Sequence, residues 1–259
     1  MSEDNELWVE RRGAVLWLTL QREQRRNALH AALVAALTRA LAEAERQPEL
    51  RAIVLTGAGE QAFCAGADLQ SGGSFKLDHS QPYQGFADLL RQARRCTLPL
   101  IARVNGACMA GGMGLLAMCD LAVAVDGARF GLPEVKVGLF PAQVLAVLQP
   151  LVGPRVLTQW CLSGEPFDSA VALACGLLNR VVPADRLDAA VAEMLAPLLA
   201  NSPSAIRRGL YTLKQTRAMA FEQAIAMTES QIGLFAMTED AQEGLQAFRE
   251  KRAPQWTGA

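Results

Sequence analysis

The hydrophobic positions of the chain fall into short continuous runs and helical repeats. Two apolar runs, Leu7–Glu10 and Ala14–Leu20, are separated by Arg11–Gly13, and this pattern predicts a β-hairpin. Leucine then recurs every four residues over Leu29–Leu41. That spacing predicts an amphipathic helix of about four turns, with His30 inside it. The chain is therefore expected to begin with a strand pair followed by a helix.

Three further hydrophobic runs have the length and composition of buried strands: Arg51–Thr56, Leu98–Val104 and Leu121–Val125. Helix-length sequence separates each run from the next, which is typical of an α/β protein with mostly parallel strand pairing. The segment Gln70–Gln84 is polar and contains Gly72–Gly73 and Pro82, so it predicts a loop.

The C-terminal part of the chain has the periodicity of helices. Asp168 is expected to cap a helix that ends near Gly176, and from Leu187 onward the sequence predicts only helices. Turns separate these helices at 201–203, near Ala220 and near Thr238. The expected organisation is an α/β core over residues 1–200 and a helical region over residues 201–259.

Composition restricts the class of protein. With 259 residues, 51% of them hydrophobic and 20% charged, the chain can form one large domain. Its net charge of −1 argues against nucleic-acid binding, which needs a local surplus of lysine and arginine. The opening MSEDNELWVE lacks the basic and apolar regions of a signal peptide, and no uncharged run is a convincing membrane span. We therefore expect a soluble, cytoplasmic protein.

The reactive side chains exclude several mechanisms. Six cysteines form neither a CxxC pair nor a metal-ligand spacing, so we expect reduced thiols and no metal site. Only two histidines, His30 and His79, are present, in a helical pattern and a polar loop respectively. A Ser-His-Asp triad or a multi-histidine metal site is therefore not supported. Acid–base chemistry is expected to depend on a carboxylate.

Glu134 is the carboxylate whose surroundings favour that chemistry. It lies in RFGLPEVKVGLFP, Arg129–Pro141, among Phe130, Leu132, Pro133, Val135 and Val137. Apolar surroundings raise the pKa of a carboxyl group and allow proton exchange nearer neutrality. The alternative is a carboxylate on a surface turn, paired with Lys136.

Two glycine-containing turns each follow a predicted strand. They are AFCAGADL, Ala62–Leu69, and GACMAGGMGLLAMCD, Gly106–Asp120. In the second, Gly111–Gly112 lies at a predicted helix start. Small residues let the backbone approach a ligand, and N–H groups at a helix start lack partners within the helix. Each turn alone is usually an ordinary connection. Two turns at one sheet can direct their N–H groups at the same anion.

Seven motifs, in order along nearly the whole chain, resemble the crotonase superfamily, also called the enoyl-CoA hydratase/isomerase family. They are RRNAL (Arg25–Leu29), AFCAGADL (Ala62–Leu69), VNGACMAGG (Val104–Gly112), FGLPEVKVGLFP (Phe130–Pro141), LSGEPF (Leu162–Phe167), GLLNRVVP (Gly176–Pro183) and EKRAPQWTG (Glu250–Gly258). The resemblance implies a crotonase-type core of repeated ββα units in a superhelix, with a C-terminal α-helical region. It also implies an enzyme of fatty acid metabolism that acts on acyl-CoA, as a homotrimer or dimer of trimers. No cofactor beyond the coenzyme A of the substrate is implied.

By motif position, the resemblance assigns the two N–H groups that bind the thioester oxygen to Ala67 and Gly111. Glu134 matches the second of two glutamates that hold the attacking water in hydratases of the family. The first would fall at Gly114, where this chain has no carboxylate. Three reactions therefore stay open: hydration by Glu134 alone, with Gln143 helping to hold the water, double-bond isomerisation, and another acyl-CoA reaction or none.

The resemblance also places these residues beside the substrate: Arg25, Arg26, Ala65, Asp68, Leu69, Gly112, Gly114, Gln143 and Lys251. The basic candidates for the coenzyme A phosphates are Arg22, Arg26, Lys251 and Arg252, the last two acting on a neighbouring subunit's ligand. The loop Gly72–Gln84 and residues Phe86–Leu90 are expected to bound the acyl pocket. A non-enzymatic scaffold on the same fold is the alternative from another functional class.

Overall fold

The computed structural model describes residues 6–69, 80 and 84–259. Its strands are β1 (Leu7–Arg12), β2 (Val15–Leu20), β3 (Ala52–Gly57), β4 (Ala62–Cys64), β5 (Leu100–Val104), β6 (Ala107–Met109), β7 (Leu121–Val125), β8 (Arg129–Gly131), β9 (Phe167–Asp168) and β10 (Arg180–Val182). Its α-helices are α1 (Ala31–Ala44), α2 (Gly85–Arg95), α3 (Gly111–Ala117), α4 (Ala142–Leu148), α5 (Pro154–Ser163), α6 (Ser169–Ala174), α7 (Leu187–Ala200), α8 (Pro203–Thr216), α9 (Phe221–Ala236) and α10 (Glu239–Glu250). Most of the predicted loop Gln70–Gln84, including His79, lies outside the described residues.

The larger sheet has six strands in the order β1-β2-β3-β5-β7-β10. The first two are antiparallel, which confirms the predicted hairpin, and the remaining neighbours pair in parallel. Every residue of β3 is buried. Strands covered on both faces need continuous hydrophobic runs, and these runs made the central strands predictable from sequence.

The smaller sheet was not predicted. Its order is β4-β6-β8-β9, and no strand in it exceeds three residues, which is too short for an alternating pattern to be recognised. Cys64 of β4 pairs in register with Cys108 of β6. Because β4 and β6 run parallel, the two glycine-containing turns that follow them emerge side by side.

Helix α1 begins one residue after His30, not before it. The imidazole Nδ1 accepts hydrogen bonds from the backbone N–H groups of Ala32 and Leu33, at 3.2 and 3.4 Å. His30 is therefore the N-cap of the helix, which corrects its expected place inside the helix. Leu33, Leu37 and Leu41 are buried along one face, as the repeat predicted.

The C-terminal helices pack against the α/β core. The Lys214 ammonium on α8 lies 3.0 Å from the Asp120 carboxylate and donates to the Cys96 carbonyl, the C-cap of α2, at 2.9 Å. The Trp256 indole N–H donates to the Ala200 carbonyl at 2.7 Å. A division at residue 200 remains a prediction. Among the described residues, no helix is both long and apolar enough to span a membrane.

Asp240, on α10, connects the C-terminal residues to the start of α8 through hydrogen bonds. It is buried, and its carboxylate accepts hydrogen bonds from the Ser202 hydroxyl and from the backbone N–H groups of Thr257 and Gly258, at 2.7, 2.9 and 3.0 Å. Burial alone would raise the pKa of Asp240. The hydrogen bonds from Ser202, Gly258, Thr257 and Ser204 outweigh it and lower that pKa to about 2.

Replacing Asp240 is expected to lower stability in a pH-dependent way. The hydrogen bonds favour the ionised carboxylate, so their contribution is complete above the unfolded pKa of about 3.9 and is lost as the pH falls toward 2. Asp240→Asn should reduce the free energy of unfolding by about 2 kcal/mol at neutral pH, and this deficit should shrink below pH ~4. Denaturant unfolding at several pH values measures it. Glu239→Gln, an exposed neighbour, should show no such deficit.

Candidate active site

The two glycine-containing turns are in van der Waals contact through their backbones. A Cβ atom placed on Gly66 would lie 2.6 Å from the Ala110 Cβ and 3.1 Å from the Gly111 nitrogen. A Cβ placed on Gly111 would lie 3.7 Å from the Ala67 nitrogen. The backbone nitrogens of Ala67 and Gly111 are thus brought together by the absence of side chains. The two turns that the sequence singled out therefore meet in the structure.

Backbone conformation at this contact is unusual. Gly66 has a φ of +93°, a left-handed value that glycine adopts without cost. Ala110, which precedes α3, has a φ of 49° and a ψ of −120°. A residue with a Cβ in such a region carries strain of about 1–3 kcal/mol, which the surrounding structure must sustain. This strained turn directs the start of α3 toward Gly66.

The N–H group of Ala67 differs from those of the residues around it, which all donate hydrogen bonds within the protein. The Ala65 N–H donates to the Arg26 carbonyl at 3.0 Å, and the Gly66 N–H donates to the Cys64 sulfur at 3.4 Å. The Asp68 N–H donates to the Leu29 carbonyl at 2.8 Å. Within the described part of the chain, the Ala67 N–H has no hydrogen-bond acceptor. The Gly111 N–H also has none there, because the first N–H groups of a helix have no intrahelical partner. Both residues are partly exposed, so a ligand oxygen can reach these two donors.

Glu134 lies in a short 3-10 helix, Pro133–Val137, that follows β8. Its Oε2 atom is buried and, among the described residues, has no hydrogen-bond partner. Burial raises the pKa of Glu134 above its ordinary value. The predicted alternative, a pair with Lys136, is wrong because the Lys136 ammonium contacts Glu165 at 2.7 Å. Glu134 therefore has a raised pKa, and its buried Oε2 atom has no partner among the described residues.

Only some of the hydrophobic side chains that surround Glu134 in the sequence are buried in the structure. Phe130 and Leu132 are fully buried, whereas Val135 and Val137 are 37% and 62% exposed. A continuous hydrophobic sequence does not distinguish inward from outward side chains in a 3-10 turn. Burial and the nearby Glu134 carboxylate both raise the pKa of the Cys161 thiol on α5, so α5 also borders Glu134.

Gly114 lies one turn beyond Gly111 on the same side of α3 and is buried. A Cβ there would lie 2.9 Å from the Phe86 Cζ and 3.4 Å from the Val144 Cγ2. An aromatic ring thus fills the place where the resemblance puts a second glutamate. The Gln143 amide donates to the Gln84 side chain, which joins α4 to the start of α2.

Other predicted site residues fall into three groups. Arg25, Arg26, Leu69 and Lys251 are exposed, and Ala65 is partly exposed. Gly112 is buried, and a Cβ on it would lie 2.3 Å from the Cys64 carbonyl oxygen, so close packing explains this glycine. Leu89 and Leu90, expected to bound the acyl pocket, belong instead to the hydrophobic core.

Two of the basic candidates for phosphate binding are already paired. Arg22 makes ion pairs with Glu6 and Asp68, and its side chain is only 12% exposed. Arg252 pairs with Glu243 and Glu250. Neither is therefore the available cation that the sequence predicts. The carboxylates that engage Arg22 lie 16 and 46 residues away along the chain, so only the fold could identify them.

The sequence matches the enoyl-CoA hydratase/isomerase family over residues 10–259. The mevalonyl-coenzyme A hydratase sidH of Aspergillus fumigatus is 36% identical over 248 residues, which cover 93% of this chain and 91% of that protein. The 2,3-dehydroadipyl-CoA hydratase of Escherichia coli is 34% identical, with 98% and 99% covered. A crystal structure of the Mycobacterium smegmatis enoyl-CoA hydratase superposes with a TM-score of 0.90 at 33% identity, with 98% and 99% covered.

The chain belongs to the enoyl-CoA hydratase/isomerase family, which confirms the resemblance carried by its motifs. The superposition with solved members over nearly the full length also confirms the predicted fold. An acyl-CoA substrate is consistent with this family.

Proposed function

We propose that this protein is an enoyl-CoA hydratase that adds water to a 2-enoyl-CoA. The proposal rests on two features of the candidate site, a pair of hydrogen-bond donors and a carboxylate, which have complementary chemical roles. Two adjacent backbone N–H groups, of Ala67 and Gly111, have no acceptor in the described part of the chain, and the buried Glu134 Oε2 is likewise unpartnered there. The similar proteins named as hydratases support the same activity.

The two N–H groups act as the oxyanion hole of this mechanism. They donate to the thioester oxygen of the substrate and polarise the conjugated double bond. Negative charge grows on that oxygen as water attacks the β-carbon, so the donors stabilise the transition state more than the substrate. Since both are backbone groups on packed segments, they require no rearrangement during the reaction.

Glu134 transfers the proton in both halves of the reaction. Its carboxylate removes a proton from water while the oxygen bonds to the β-carbon, and the electron pair of the double bond moves to form the enolate. The protonated Glu134 then returns that proton to the α-carbon, which gives the 3-hydroxyacyl-CoA. A raised pKa suits this double role, because a carboxyl group must first accept and then donate the same proton near neutral pH.

Double-bond isomerisation is a second candidate, and residue 114 favours it. Moving a proton between the α- and γ-carbons needs an oxyanion hole and one base, and Phe86 occupies the space of a second carboxylate. Product analysis with a panel of 2-enoyl- and 3-enoyl-CoAs, straight, branched and carboxylate-bearing, separates the two reactions. A 3-hydroxyacyl-CoA from a 2-enoyl-CoA supports hydration. Conversion of 3-enoyl- to 2-enoyl-CoA without hydroxylated product contradicts it.

The Gly114–Phe86 contact predicts how a second carboxylate can be restored. Gly114→Glu alone should hydrate poorly, because its Cβ would lie 2.9 Å from the Phe86 ring. In a Phe86→Ala background, Gly114→Glu should increase kcat for hydration by about tenfold over Phe86→Ala alone, since a second carboxylate helps to hold the water. Steady-state hydration assays measure this difference. Gly114→Ala in the same background is the packing control, and an equal rate for the two double variants would contradict the prediction.

The substrate contacts and the assembly belong to the same proposal. Arg25, Arg26, Ala65, Asp68, Leu69 and Lys251 line the coenzyme A side, while Gly112, Gly114 and Gln143 lie on the acyl side. We propose a cytoplasmic homotrimer or dimer of trimers, with no cofactor beyond the substrate's own coenzyme A. Large exposed hydrophobic side chains on the C-terminal helices support association: Leu213, Phe221, Ile232, Leu245 and Phe248.

A further inference from the structure

The segment Arg22–Leu29 lies directly against the turn that contains Ala67. Leu29 pairs with Ala67 as an isolated parallel bridge: its N–H donates to the Gly66 carbonyl at 2.7 Å, and its carbonyl accepts from the Asp68 N–H at 2.8 Å. These two bonds hold the peptide groups on both sides of Ala67. The orientation of the Ala67 N–H therefore depends on where Leu29 is held.

The side chain of Arg22 joins the two partners of this bridge. Its Nη1 donates to the carbonyl of Ala28, next to Leu29, at 2.5 Å. Its Nη2 contacts the carboxylate of Asp68, next to Ala67, at 2.9 Å. The guanidinium presents several donors in one rigid plane, so a single side chain can fix both segments at once. A lysine ammonium cannot reproduce this geometry.

A third contact fixes the guanidinium from the other side. The Arg22 Nε donates to the Glu6 carboxylate at 2.8 Å, and Glu6 also contacts His30, the N-cap of α1. The backbone of the segment is itself unusual, with φ values of 50° at Arg26 and 56° at Asn27. Asn27 is fully buried and donates to the Ala58 and Ala62 carbonyls at 3.0 and 2.8 Å. The segment is thus held in one conformation by buried polar contacts.

We propose that Arg22 is a positioning residue for the oxyanion hole: it holds the Ala67 N–H in the direction needed to bind the thioester oxygen. This inference rests on the proposed function, since it assigns Arg22 to the same site. It also replaces the sequence-based expectation that Arg22 binds a coenzyme A phosphate. In this role Arg22 acts through its contacts with Asp68 and with Ala28, next to Leu29.

The test uses the 259-residue chain and the variants Arg22→Lys and Asp68→Asn, with Arg103→Lys as the control. Infrared difference spectra of bound butyryl-CoA, labelled with ¹³C at the thioester carbonyl, report the hydrogen bonds made to that oxygen. This saturated thioester cannot be hydrated, so the readout does not depend on turnover. The kcat and KM for 2-enoyl-CoA hydration and the Tm are measured in parallel.

We expect wild type to lower the carbonyl stretching frequency on binding and Arg22→Lys to reverse part of that shift. The kcat of Arg22→Lys should fall by roughly tenfold to a hundredfold with little change in KM, as for a small misplacement of a catalytic group. Asp68→Asn should also raise the carbonyl frequency and lower kcat. If Arg22→Lys does not fold, the same comparison is made with Asp68→Asn. Arg103→Lys, the control, weakens a different arginine ion pair, with Asp188 at 2.7 Å. It should lower the Tm while the frequency and kcat stay at wild-type values.

Three outcomes would overturn the inference. The first is a folded Arg22→Lys protein with the wild-type carbonyl frequency and kcat, even if its Tm is lower. The second is an equal spectral change in Arg22→Lys and Arg103→Lys, which would indicate a general loss of rigidity in the protein. The third is the absence of any carbonyl shift in wild type. A wild-type shift that Arg22→Lys reverses, without hydration of any enoyl-CoA, would overturn the proposed hydratase function and support the positioning role.

Discussion

Glu134→Gln is expected to reduce kcat for hydration by about 10³-fold while the Kd for acyl-CoA stays nearly unchanged. Glutamine keeps the size of the side chain but cannot remove a proton from water or deliver one to carbon. Position 114, one turn beyond Gly111 on α3, is a glycine and cannot replace it. Steady-state kinetics and acyl-CoA titration by calorimetry give the two quantities.

The matched control for this variant is Glu165→Gln. Glu165 is exposed, and it is the carboxylate that pairs with Lys136 near the same turn. Its replacement should leave kcat within about twofold of wild type, because a surface ion pair contributes little. Equal losses in the two variants, or full turnover by Glu134→Gln, would remove Glu134 from the mechanism. The pH profile adds a second check: because burial raises the pKa of Glu134, the acid limb of kcat/KM should lie above the range of an ordinary glutamate.

Gly66→Ala is expected to reduce kcat/KM by about 10²-fold or more, as the loss of an oxyanion-hole donor does. The new Cβ would lie 2.6 Å from the Ala110 Cβ and 3.1 Å from the Gly111 nitrogen, so the two turns must separate. Separation moves the Ala67 and Gly111 N–H groups apart and weakens both hydrogen bonds to the thioester oxygen. Enoyl-CoA kinetics and thermal unfolding measure the activity and the stability.

Gly13→Ala is a suitable control because it imposes similar backbone strain elsewhere. Gly13 has a φ of +61° in the β1–β2 turn, and a Cβ there would have no neighbour within 4 Å. Alanine in this left-handed conformation costs about 1–2 kcal/mol of stability. Activity should stay at the wild-type level in Gly13→Ala. If both variants lose activity in proportion to their loss of stability, the contact between the turns has no catalytic role.

The elements that could be predicted from sequence have long or strongly periodic hydrophobic patterns. The runs that became β3, β5 and β7 are buried on both faces, and the repeat of α1 faces the core. The small sheet escaped prediction because its strands have two or three residues each. That sheet is nevertheless what brings the two glycine-containing turns together. A short strand is specified by its neighbours in space more than by its own sequence.

The candidate site likewise contains residues that could be predicted from the sequence and residues that could not. Ala67, Gly111 and Glu134 could be chosen from motifs, since backbone turns and an apolar carboxylate leave local signals. The role of Arg22 could not, because its partners Glu6 and Asp68 come from distant parts of the chain. Phe86 beside Gly114 was equally hidden. A glycine in the sequence does not indicate which neighbouring residue occupies the space beside it in the fold.

In the proposed mechanism, Glu134 is the only carboxylate that activates water, and two backbone N–H groups polarise the enoyl-CoA. The most direct measurement is mass spectrometry of crotonyl-CoA incubated with wild type and Glu134→Gln in ¹⁸O-labelled water. We expect wild type to give 3-hydroxybutyryl-CoA that carries one ¹⁸O atom, and the variant to give almost none. Unlabelled crotonyl-CoA recovered unchanged from wild type, or equal labelling by both proteins, would contradict this mechanism.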